Sequence, residues 1–324
     1  MLGRDVSPVE IADIFAAEQR LRKVFPPSPL LNMEFLNQQL GAQVWLKAEN
    51  LLPSGAYKYR GAMNKITSLI ERYGKELRIV TASSGNHGMA CALAARNLGV
   101  QANVVVPVST PQIKKDSIRA LGANLVEVGA TYDESVVAAC ERAEKEDLSY
   151  VTPTSDRYTV GGQGTISLEI LDQCPQVEQI VVPIGGGGLI TGIALTMKTL
   201  KPSVKIYGVM PAGSAVYVES RRQGQLVTLD HCSSMADAVV RKTGEEYLYP
   251  YIEKYVDDIF TVTEDSIRQA VRTACLYGKL TLEGSGALAL AALLEKKCPL
   301  SPGTVLICSG GNIDKAVLDL CMQA

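Results

Sequence analysis

The chain has 324 residues, of which 47% are hydrophobic, and its formal net charge at neutral pH is −2. This is enough apolar sequence to bury a large core, and the length favours about two domains. The acidic and basic residues are interspersed without a basic stripe, which argues against a nucleic-acid partner, and no apolar run is long enough to cross a membrane.

The N-terminus and the cysteines bear on the cellular compartment. Met1–Asp5 contains an acid and is not followed by the apolar core of a signal peptide. The eight cysteines include no C-x-x-C pair, and several stand in apolar stretches, so we expect reduced, buried thiols. These features predict a cytoplasmic protein. With only two histidines, His87 and His231, a histidine-rich metal site is not expected.

Short β-branched runs alternate along the chain with longer amphipathic segments. The predicted strands are Gln43–Glu49, Arg78–Ser83, Ala102–Pro107, Asn124–Gly129, Gln179–Ile184, Lys205–Met210, Asp258–Val262 and Thr304–Cys308. The predicted helices are Tyr59–Tyr73, His87–Leu98, Pro111–Leu121, Thr131–Asp147, Thr165–Gln173, Leu189–Leu200, Glu264–Leu276 and Ser285–Lys296. This alternation predicts parallel sheets covered by helices on both faces. The continuous apolar run from Ile180 to Ile184 is typical of a central parallel strand.

A run of four glycines follows the predicted strand that ends at Ile184. Gly185 to Gly188, with Leu189 after them, lead directly into a predicted helix. Glycines let the backbone approach a ligand closely, and the start of a helix offers N–H groups and a positive dipole end to an anion. The segment lacks the Gly-Lys-Ser/Thr ending of a P-loop and the ribose-binding acid of a dinucleotide site. We therefore expect it to bind a phosphate group, with a flexible loop as the alternative.

Lys58 stands near a predicted helix start, in the run from Pro53 to Ala62. The positive end of a helix favours the uncharged form of an amine, and the uncharged amine is the form that reacts with a carbonyl group. A lysine beside an aromatic residue is more often a solvated surface side chain. The functional interpretation of Lys58 therefore depends on the neighbouring motifs.

A second polar segment lies between another predicted strand and helix. It consists of Ser83, Ser84, Gly85, Asn86 and His87. Small residues at a helix N-terminus can bind a carboxylate through backbone N–H groups. Taken alone, however, the segment is an ordinary helix-capping sequence, and a lone histidine is more often packed than catalytic.

The last motif is Ser-Gly-Gly-Asn, from Ser309 to Asn312, after the C-terminal predicted strand. Each of the four segments follows a predicted strand, and ligands of open α/β sheets bind at the carboxyl ends of the strands. One crevice is therefore expected to collect them, and this convergence is a stronger indication than any single motif.

Together and in this order, the segments resemble the fold-type II pyridoxal-phosphate (PLP) enzymes, in particular the serine/threonine dehydratase and serine racemase branch. The resemblance runs from about Pro29 to the C-terminus and includes Gly-Gln-Gly-Thr at 162–165 and Glu-Gly-Ser-Gly-Ala at 283–287. It implies an α/β fold like that of tryptophan synthase β, with two open, twisted, mainly parallel sheets and an active site between the domains. The implied large PLP-binding domain comprises 1–73 and 153–324, and the small mobile domain comprises 74–152.

The resemblance also implies roles for individual residues. Lys58 would be the catalytic Schiff-base lysine, and Ser84 would donate and accept a proton on the opposite face, as in the racemases. The implied cofactor-binding residues are Tyr57, in the usual place of a phenylalanine, Lys58, Asn86, Gly185, Gly186, Gly187, Gly188, Leu189, Glu283 and Ser309. The implied substrate-binding residues are Ser83, Ser84, Gly85, Asn86 and His87.

The implied reaction is that of an ammonia-lyase: β-elimination of water from a 3-hydroxy amino acid, giving a 2-keto acid and ammonia. Serine, threonine and bulkier analogues such as phenylserine are the candidate substrates. Racemisation and β-replacement are alternatives within the same fold, and a non-catalytic PLP or nucleotide binder is the least favoured one. The expected assembly is a homodimer that acts on a small amino acid, without a nucleic-acid or membrane partner.

Two segments depart from the family pattern. Relatives bind a divalent cation through acidic residues after the strand that corresponds to Lys205–Met210, whereas the stretch from Gly208 to Val216 contains no carboxylate. No metal site is therefore expected, and packing of Met210 and Val216 would hold this loop instead. The run Thr154–Tyr158 also differs, which leaves the substrate open.

Overall fold

The computed structural model describes residues 4–323 and divides the chain into two compact units. Unit 1 runs to Phe25 and then from Lys58 to Gln163, and unit 2 comprises Pro26–Tyr57 and the chain from Gly164 onwards. The predicted domain boundaries after residues 73 and 152 stay a prediction. So does the absence of a signal peptide, because the first three residues of that segment lie outside the described residues.

The strands form two sheets, one in each unit. In chain order they are β1 (Leu30–Leu31), β2 (Val44–Lys47), β3 (Arg78–Ala82), β4 (Gln101–Val106), β5 (Asn124–Glu127), β6 (Ser149–Tyr150), β7 (Gln179–Pro183), β8 (Lys205–Pro211), β9 (Asp258–Val262) and β10 (Thr304–Ile307). Unit 2 has a six-stranded sheet in the order β1-β2-β10-β7-β8-β9, and unit 1 has a four-stranded sheet in the order β5-β4-β3-β6. Neighbouring strands are parallel except for β1 and β2. The predicted α/β class with two mainly parallel sheets is confirmed.

The helices connect these strands and cover the sheets. In chain order they are α1 (Ile11–Leu21), α2 (Glu34–Leu40), α3 (Lys58–Tyr73), α4 (Asn86–Leu98), α5 (Gln112–Ala120), α6 (Tyr132–Lys145), α7 (Arg157–Gln173), α8 (Gly188–Leu200), α9 (Val216–Gln223), α10 (Tyr249–Tyr255), α11 (Glu264–Leu276), α12 (Gly284–Leu294) and α13 (Lys315–Gln323). None of those described has the length and apolar character needed to span a bilayer.

Strand β7 shows how the six-stranded sheet is buried on both faces. Ile180 and Val182 pack in a cluster with Ile193 of α8, whereas Val181 belongs to a separate cluster with Leu288 of α12. Every residue of β7 is buried, as the continuous apolar run predicts. In unit 1, α6 covers the four-stranded sheet through a smaller apolar cluster.

The sequence-based assignment was wrong at the start of α7, which begins at Arg157 and not at Thr165. Glycine is a poor helix former, so Gly161 and Gly162 argue against a helix from sequence alone. Close packing inside unit 1 explains why glycine occupies these positions of the helix. A Cβ at Gly162 would lie 2.7 Å from the carbonyl oxygen of Arg60 and 2.8 Å from Cα of Gly61. Only a residue without a side chain allows α3 and α7 to approach this closely.

We therefore expect Gly162→Ala to lower the free energy of unfolding by roughly 1–3 kcal/mol, because the new methyl group overlaps backbone atoms that cannot rotate away. Gly161→Ala is the matched control, since its Cβ would lie 3.3 Å from the carbonyl oxygen of Asp13. Urea unfolding of both variants measures the difference. Equal stability of the two variants would contradict the close-packing explanation.

Candidate active site

The glycine loop joins β7 to α8 in unit 2. Gly187 has φ of +96°, in the left-handed region, and precedes α8 without a side-chain cap. A Cβ added at Gly185 would lie 2.9 Å from Cα of Val239, and a Cβ added at Gly187 would lie 2.8 Å from Cδ1 of Ile252. The hydroxyl of Tyr217, in the first turn of α9, donates a hydrogen bond of 3.0 Å to the carbonyl of Gly186. The loop thus has bare backbone at a helix N-terminus, which is the geometry of a phosphate site.

The loop before Lys58 and the C-terminal Ser-Gly-Gly-Asn motif are hydrogen-bonded to each other in unit 2. Tyr57 N donates to the carbonyl of Ser309 at 3.0 Å, and Asn312 Nδ2 donates to the carbonyl of Ser54 at 2.9 Å. A Cβ at Gly55, whose φ is +75°, would overlap the Asn312 side chain. Two of the four predicted motifs therefore meet at the carboxyl end of β10.

Tyr57 and Glu283 share an electrostatic environment in the same unit. Burial raises the pKa of the Tyr57 phenol above its usual range; the Arg241 charge opposes this rise, and the Glu283 charge adds to it. The phenol is therefore protonated at neutral pH and able to donate a hydrogen bond. Glu283 is buried before α12, and its backbone N–H donates to the carbonyl of Gly310 at 3.1 Å.

Lys58 is the first residue of α3 in unit 1. Its Nζ donates a hydrogen bond of 2.8 Å to the carbonyl of Pro153. Burial raises the pKa of the nearby Cys91 thiol, and the Lys58 charge acts in the opposite direction. The lysine is therefore held on a backbone carbonyl, beside a thiol that stays protonated.

The Ser83–His87 segment forms the loop before α4 and the start of that helix, and the capping interpretation of it stays a prediction. Gly85 is the N-cap residue of α4 and has no side chain with which to cap the helix. Ser83 Oγ instead accepts a bond of 3.3 Å from Gly85 N within the loop. The half-buried Ser84 hydroxyl makes no hydrogen bond within residues 4–323.

His87 is a packed residue, as the cautious interpretation of its motif expected. It is 3% exposed, its Nε2 donates to the carbonyl of Val151 at 3.0 Å, and Cys91 Sγ lies 3.5 Å from the same nitrogen. A ring engaged in this way holds α4 against the end of β6, and it is poorly placed to act as a general base.

The divergent run Thr154–Tyr158 has a structural explanation inside unit 1. Asp156 is fully buried, and one of its carboxylate oxygens accepts a bond of 2.7 Å from Lys65 Nζ. The other accepts from the backbone N–H groups of Tyr158 and Thr159 at the start of α7. Asp156 therefore stabilises the fold of this segment through an ion pair and a helix cap.

The predicted site residues are thus distributed over both units. Tyr57, Gly185 to Leu189, Glu283 and Ser309 lie in unit 2. Lys58 and the Ser83–His87 segment lie in unit 1. Sequence reasoning missed Tyr217 and Arg241, which lie beside the glycine loop or its neighbours. Neither belongs to a recognisable motif, and each is far along the chain from the residues it influences.

Comparison with known proteins identifies the family. Residues 21–310 match the model of the family described as pyridoxal-phosphate dependent enzyme. The chain belongs to this family. It is 36% identical to an L-threonine ammonia-lyase of Thermotoga maritima, over 96% of this chain and 77% of the relative. It is 39% identical to a serine racemase of Rattus norvegicus, over 98% of this chain and 97% of the relative. The processed form of threonine deaminase isoform 2 from Solanum lycopersicum has the same fold, with a TM-score of 0.90 and 34% identity, over 100% of this chain and 91% of that one.

The predicted family and its PLP cofactor are therefore confirmed, and the chain is an enzyme similar to PLP-dependent lyases. Buried polar groups in unit 2 fit such a ligand. Thr191 Oγ1, in the first turns of α8, and Ser285 Oγ, at the start of α12, are buried without a hydrogen-bond partner in the described part of the chain. Within residues 4–323, Ser309 Oγ makes only a long hydrogen bond of 3.4 Å to the carbonyl of Ser285. Leaving a buried hydroxyl unpaired costs about 1–3 kcal/mol, so polar ligand atoms beside these groups would be favourable.

This PLP-dependent enzyme holds the loop after β8 with its own side chains. Met210 and Val216 are fully buried in the apolar cluster of α8, as predicted. Ser214 Oγ in addition accepts from Arg241 N at 2.9 Å and donates to the carbonyl of Arg241 at 3.1 Å. Across residues 4–323, no group of three or more His, Cys, Asp or Glu is arranged to bind a metal ion.

We therefore expect excess EDTA to leave both the melting temperature and the activity unchanged, because apolar packing and hydrogen bonds hold the loop without a cation. Millimolar magnesium, manganese or calcium should raise neither quantity. Thermal melts and a keto-acid assay, each with chelator and with added metal, measure both. A rise of several degrees with metal that EDTA reverses would contradict this expectation.

Proposed function

We propose that the chain is a PLP-dependent dehydratase that eliminates water from a 3-hydroxy amino acid, with serine and threonine as the first candidates and bulkier analogues such as phenylserine next. The enamine released by elimination hydrolyses, so the products are a 2-keto acid and ammonia, and the water lost in the first step is regained in the second. The observation that carries this proposal is the similarity to ammonia-lyases over nearly the whole chain.

The residues support a division of labour around the cofactor. When bound, PLP withdraws electrons from Cα of the amino acid that is joined to it. The backbone N–H groups at the start of α8 would bind its phosphate, and Lys58 would carry it covalently. Once released from the cofactor, Lys58 Nζ would take the proton from Cα of the substrate. It would then hold a proton that the β-hydroxyl group needs in order to leave as water.

Ser309 bears on the choice between elimination and other reactions. A serine hydroxyl is far less acidic than a carboxylic acid, so it donates a hydrogen bond to a pyridine nitrogen without protonating it. A neutral ring is a weaker electron acceptor, which favours prompt loss of the β-hydroxyl group over transamination. Its long bond to the Ser285 carbonyl, at 3.4 Å, leaves the hydroxyl able to turn towards a better partner.

Racemisation is the second candidate, and the observation that favours it is the Ser84 hydroxyl. This hydroxyl is half-buried, makes no hydrogen bond within residues 4–323, and is adjacent to the first turn of α4. Such a group would exchange a proton with Cα from the face opposite Lys58. The similarity to serine racemases supports the same reading. We propose that racemisation is the minor activity, because a hydroxyl alone is a weak base.

We also propose that the enzyme works in the cytoplasm as a homodimer. The thiol content supports the first point, since all eight cysteines are free and the buried Cys308 has its pKa raised to about 12 by burial. Light scattering coupled to gel filtration tests the second point, and a monomeric mass in the active fraction would contradict it.

Lys58→Ala is expected to lower turnover of serine or threonine by roughly 100- to 10,000-fold or more, because both the covalent attachment point and the proton acceptor are lost. The visible absorbance band of lysine-bound PLP should disappear with the activity. Lys58→Arg is the matched variant, since it keeps the charge and a donor to the Pro153 carbonyl but not the reactive amine. The exposed Lys145 provides a control position for loss of a lysine. Activity retained in Lys58→Ala would overturn the assignment.

Ser84→Ala should slow interconversion of serine enantiomers by roughly 100-fold while leaving elimination from one enantiomer active, because only the second proton donor is removed. Chiral chromatography and keto-acid release, measured on the same samples, separate the two reactions. Ser83→Ala is the control, since its hydroxyl accepts a loop bond from Gly85 N and its loss should weaken both reactions together. Racemisation faster than keto-acid formation in the unmodified enzyme would reverse the ranking of the two activities.

A further inference from the structure

Tyr217 connects two backbone segments of unit 2 through its hydroxyl group. The hydroxyl oxygen accepts a hydrogen bond of 2.9 Å from Glu245 N, and the hydroxyl donates one of 3.0 Å to the carbonyl of Gly186. Burial raises the pKa of this phenol well above its usual range, so the hydroxyl keeps its proton at neutral pH. Because Glu245 supplies its own hydrogen to the first bond, the proton of the phenol lies in the second. Tyr217 is therefore fixed as a donor to the glycine loop.

The ring of Tyr217 has little room to move. It is fully buried, and it stacks on the ring of Tyr249, with the centroids 6.4 Å apart and the planes inclined by 18°. A Cβ added at Gly244 would lie 2.7 Å from Cε1 of the ring, so the backbone of Gly244 packs on it as well. A ring confined in this way holds its hydroxyl at one point beside the glycine loop.

The hydrogen bond acts on the peptide that joins Gly186 to Gly187. In a trans peptide the carbonyl oxygen and the N–H point in opposite directions, so the N–H of Gly187 points away from Tyr217. Gly187 is buried, and its N–H makes no hydrogen bond within residues 4–323. Buried backbone N–H groups are nearly always paired. This one is therefore expected to bind a group that the described chain does not supply.

Glycine on both sides lets this peptide turn over at low cost. Glycine adopts positive and negative φ about equally readily, and Gly187 has φ of +96°. In the reversed orientation the carbonyl of Gly186 would take the place of the N–H and present a negative partial charge to an anion. The glycines themselves do not choose between the two orientations, whereas the hydrogen bond from Tyr217 favours the one that presents the N–H.

We propose that Tyr217 is a positioning residue of the cofactor site, which holds the Gly186–Gly187 peptide with its N–H directed at the phosphate of PLP. The proposal rests on the proposed function of the glycine loop as the phosphate site and adds the residue that orders its backbone. The hydroxyl proton is already used on Gly186. Tyr217 therefore acts through the peptide and does not itself donate to the phosphate.

PLP and pyridoxal distinguish this role from a general structural one, because they share the aldehyde and differ by the phosphate. Each is titrated into the apoprotein, and the absorbance of the lysine-bound aldehyde gives its dissociation constant. Tyr217→Phe removes the hydroxyl and keeps the ring. Tyr249→Phe is the matched control, since it removes a hydroxyl from the stacked ring that donates to the carbonyl of Ser220 at 3.3 Å and not to the glycine loop.

Tyr217→Phe is expected to weaken PLP binding by roughly 3- to 10-fold, as for the loss of one neutral hydrogen bond, and to change pyridoxal binding by less than about twofold. Tyr249→Phe should change neither. Gly187→Ala is the second variant, and it decides the question if Tyr217→Phe does not fold. An alanine is strained at φ of +96° and so favours the reversed peptide without removing the hydroxyl. It should also weaken PLP and spare pyridoxal.

Equal weakening of PLP and pyridoxal in either variant would overturn the proposal, because it would mean that these residues only stabilise the fold. Thermal melts of the apoproteins would then show the same loss. Unchanged PLP affinity in a folded Tyr217→Phe protein would also overturn it, since the glycine loop would then order itself.

The experiment separates this proposal from the ones on which it rests. If the unmodified protein binds PLP no more tightly than pyridoxal, the glycine loop is not the phosphate site, and the role of Tyr217 is refuted with it. A protein that shows the expected binding pattern but releases no keto acid from serine or threonine would refute the proposed reaction alone, because neither dissociation constant depends on turnover.

Discussion

The hydrogen bond from Tyr57 N to the carbonyl of Ser309, at 3.0 Å, is the contact on which the arrangement of the site depends. It fixes the residue before Lys58 on the carboxyl end of β10, in the centre of the six-stranded sheet. Lys58 follows after one peptide bond and begins α3. The proposed Schiff-base lysine is thus the next residue along the chain after a backbone fixed on the sheet, and its own side chain is held in unit 1 by the carbonyl of Pro153.

The starts of α4, α8 and α12 share a feature that bears on ligand binding. Gly85, Gly187 and Glu283 precede them without a side-chain cap, whereas Thr131 and Thr263 cap α6 and α11 through their hydroxyls. An uncapped helix start is not unusual by itself, since α2 and α5 lack such caps too. What distinguishes α4 and α8 is that glycine precedes the helix, so the backbone N–H groups are not screened by a side chain. Anionic ligand groups would accept hydrogen bonds from the backbone N–H groups at the starts of α4 and α8.

The parts of the structure that sequence predicts well are those in which local pattern and tertiary packing agree. Strand β7 is an example, because its continuous apolar run matches a strand buried on both faces. The start of α7 is the opposite case. Gly161 and Gly162 oppose a helix locally, and only the approach of the Arg60 carbonyl explains why they are helical. Tyr217 was missed for a related reason: its hydrogen bond to the carbonyl of Gly186 is created by the fold, and no local sequence pattern predicts it.

The divergent Thr154–Tyr158 run bears on the question of which residues select the substrate. Asp156 is used for the ion pair with Lys65 and for the start of α7, so this residue has a structural role inside unit 1. A carboxylate engaged in this way is not available to a substrate, so Asp156 does not select one. An apolar wall that lacks one methylene changes affinity modestly, whereas a buried polar group that a ligand leaves unpaired costs about 1–3 kcal/mol and so discriminates more strongly. The buried hydroxyls of Thr191 and Ser285, which have no hydrogen-bond partner in the described part of the chain, are polar groups of this kind in unit 2.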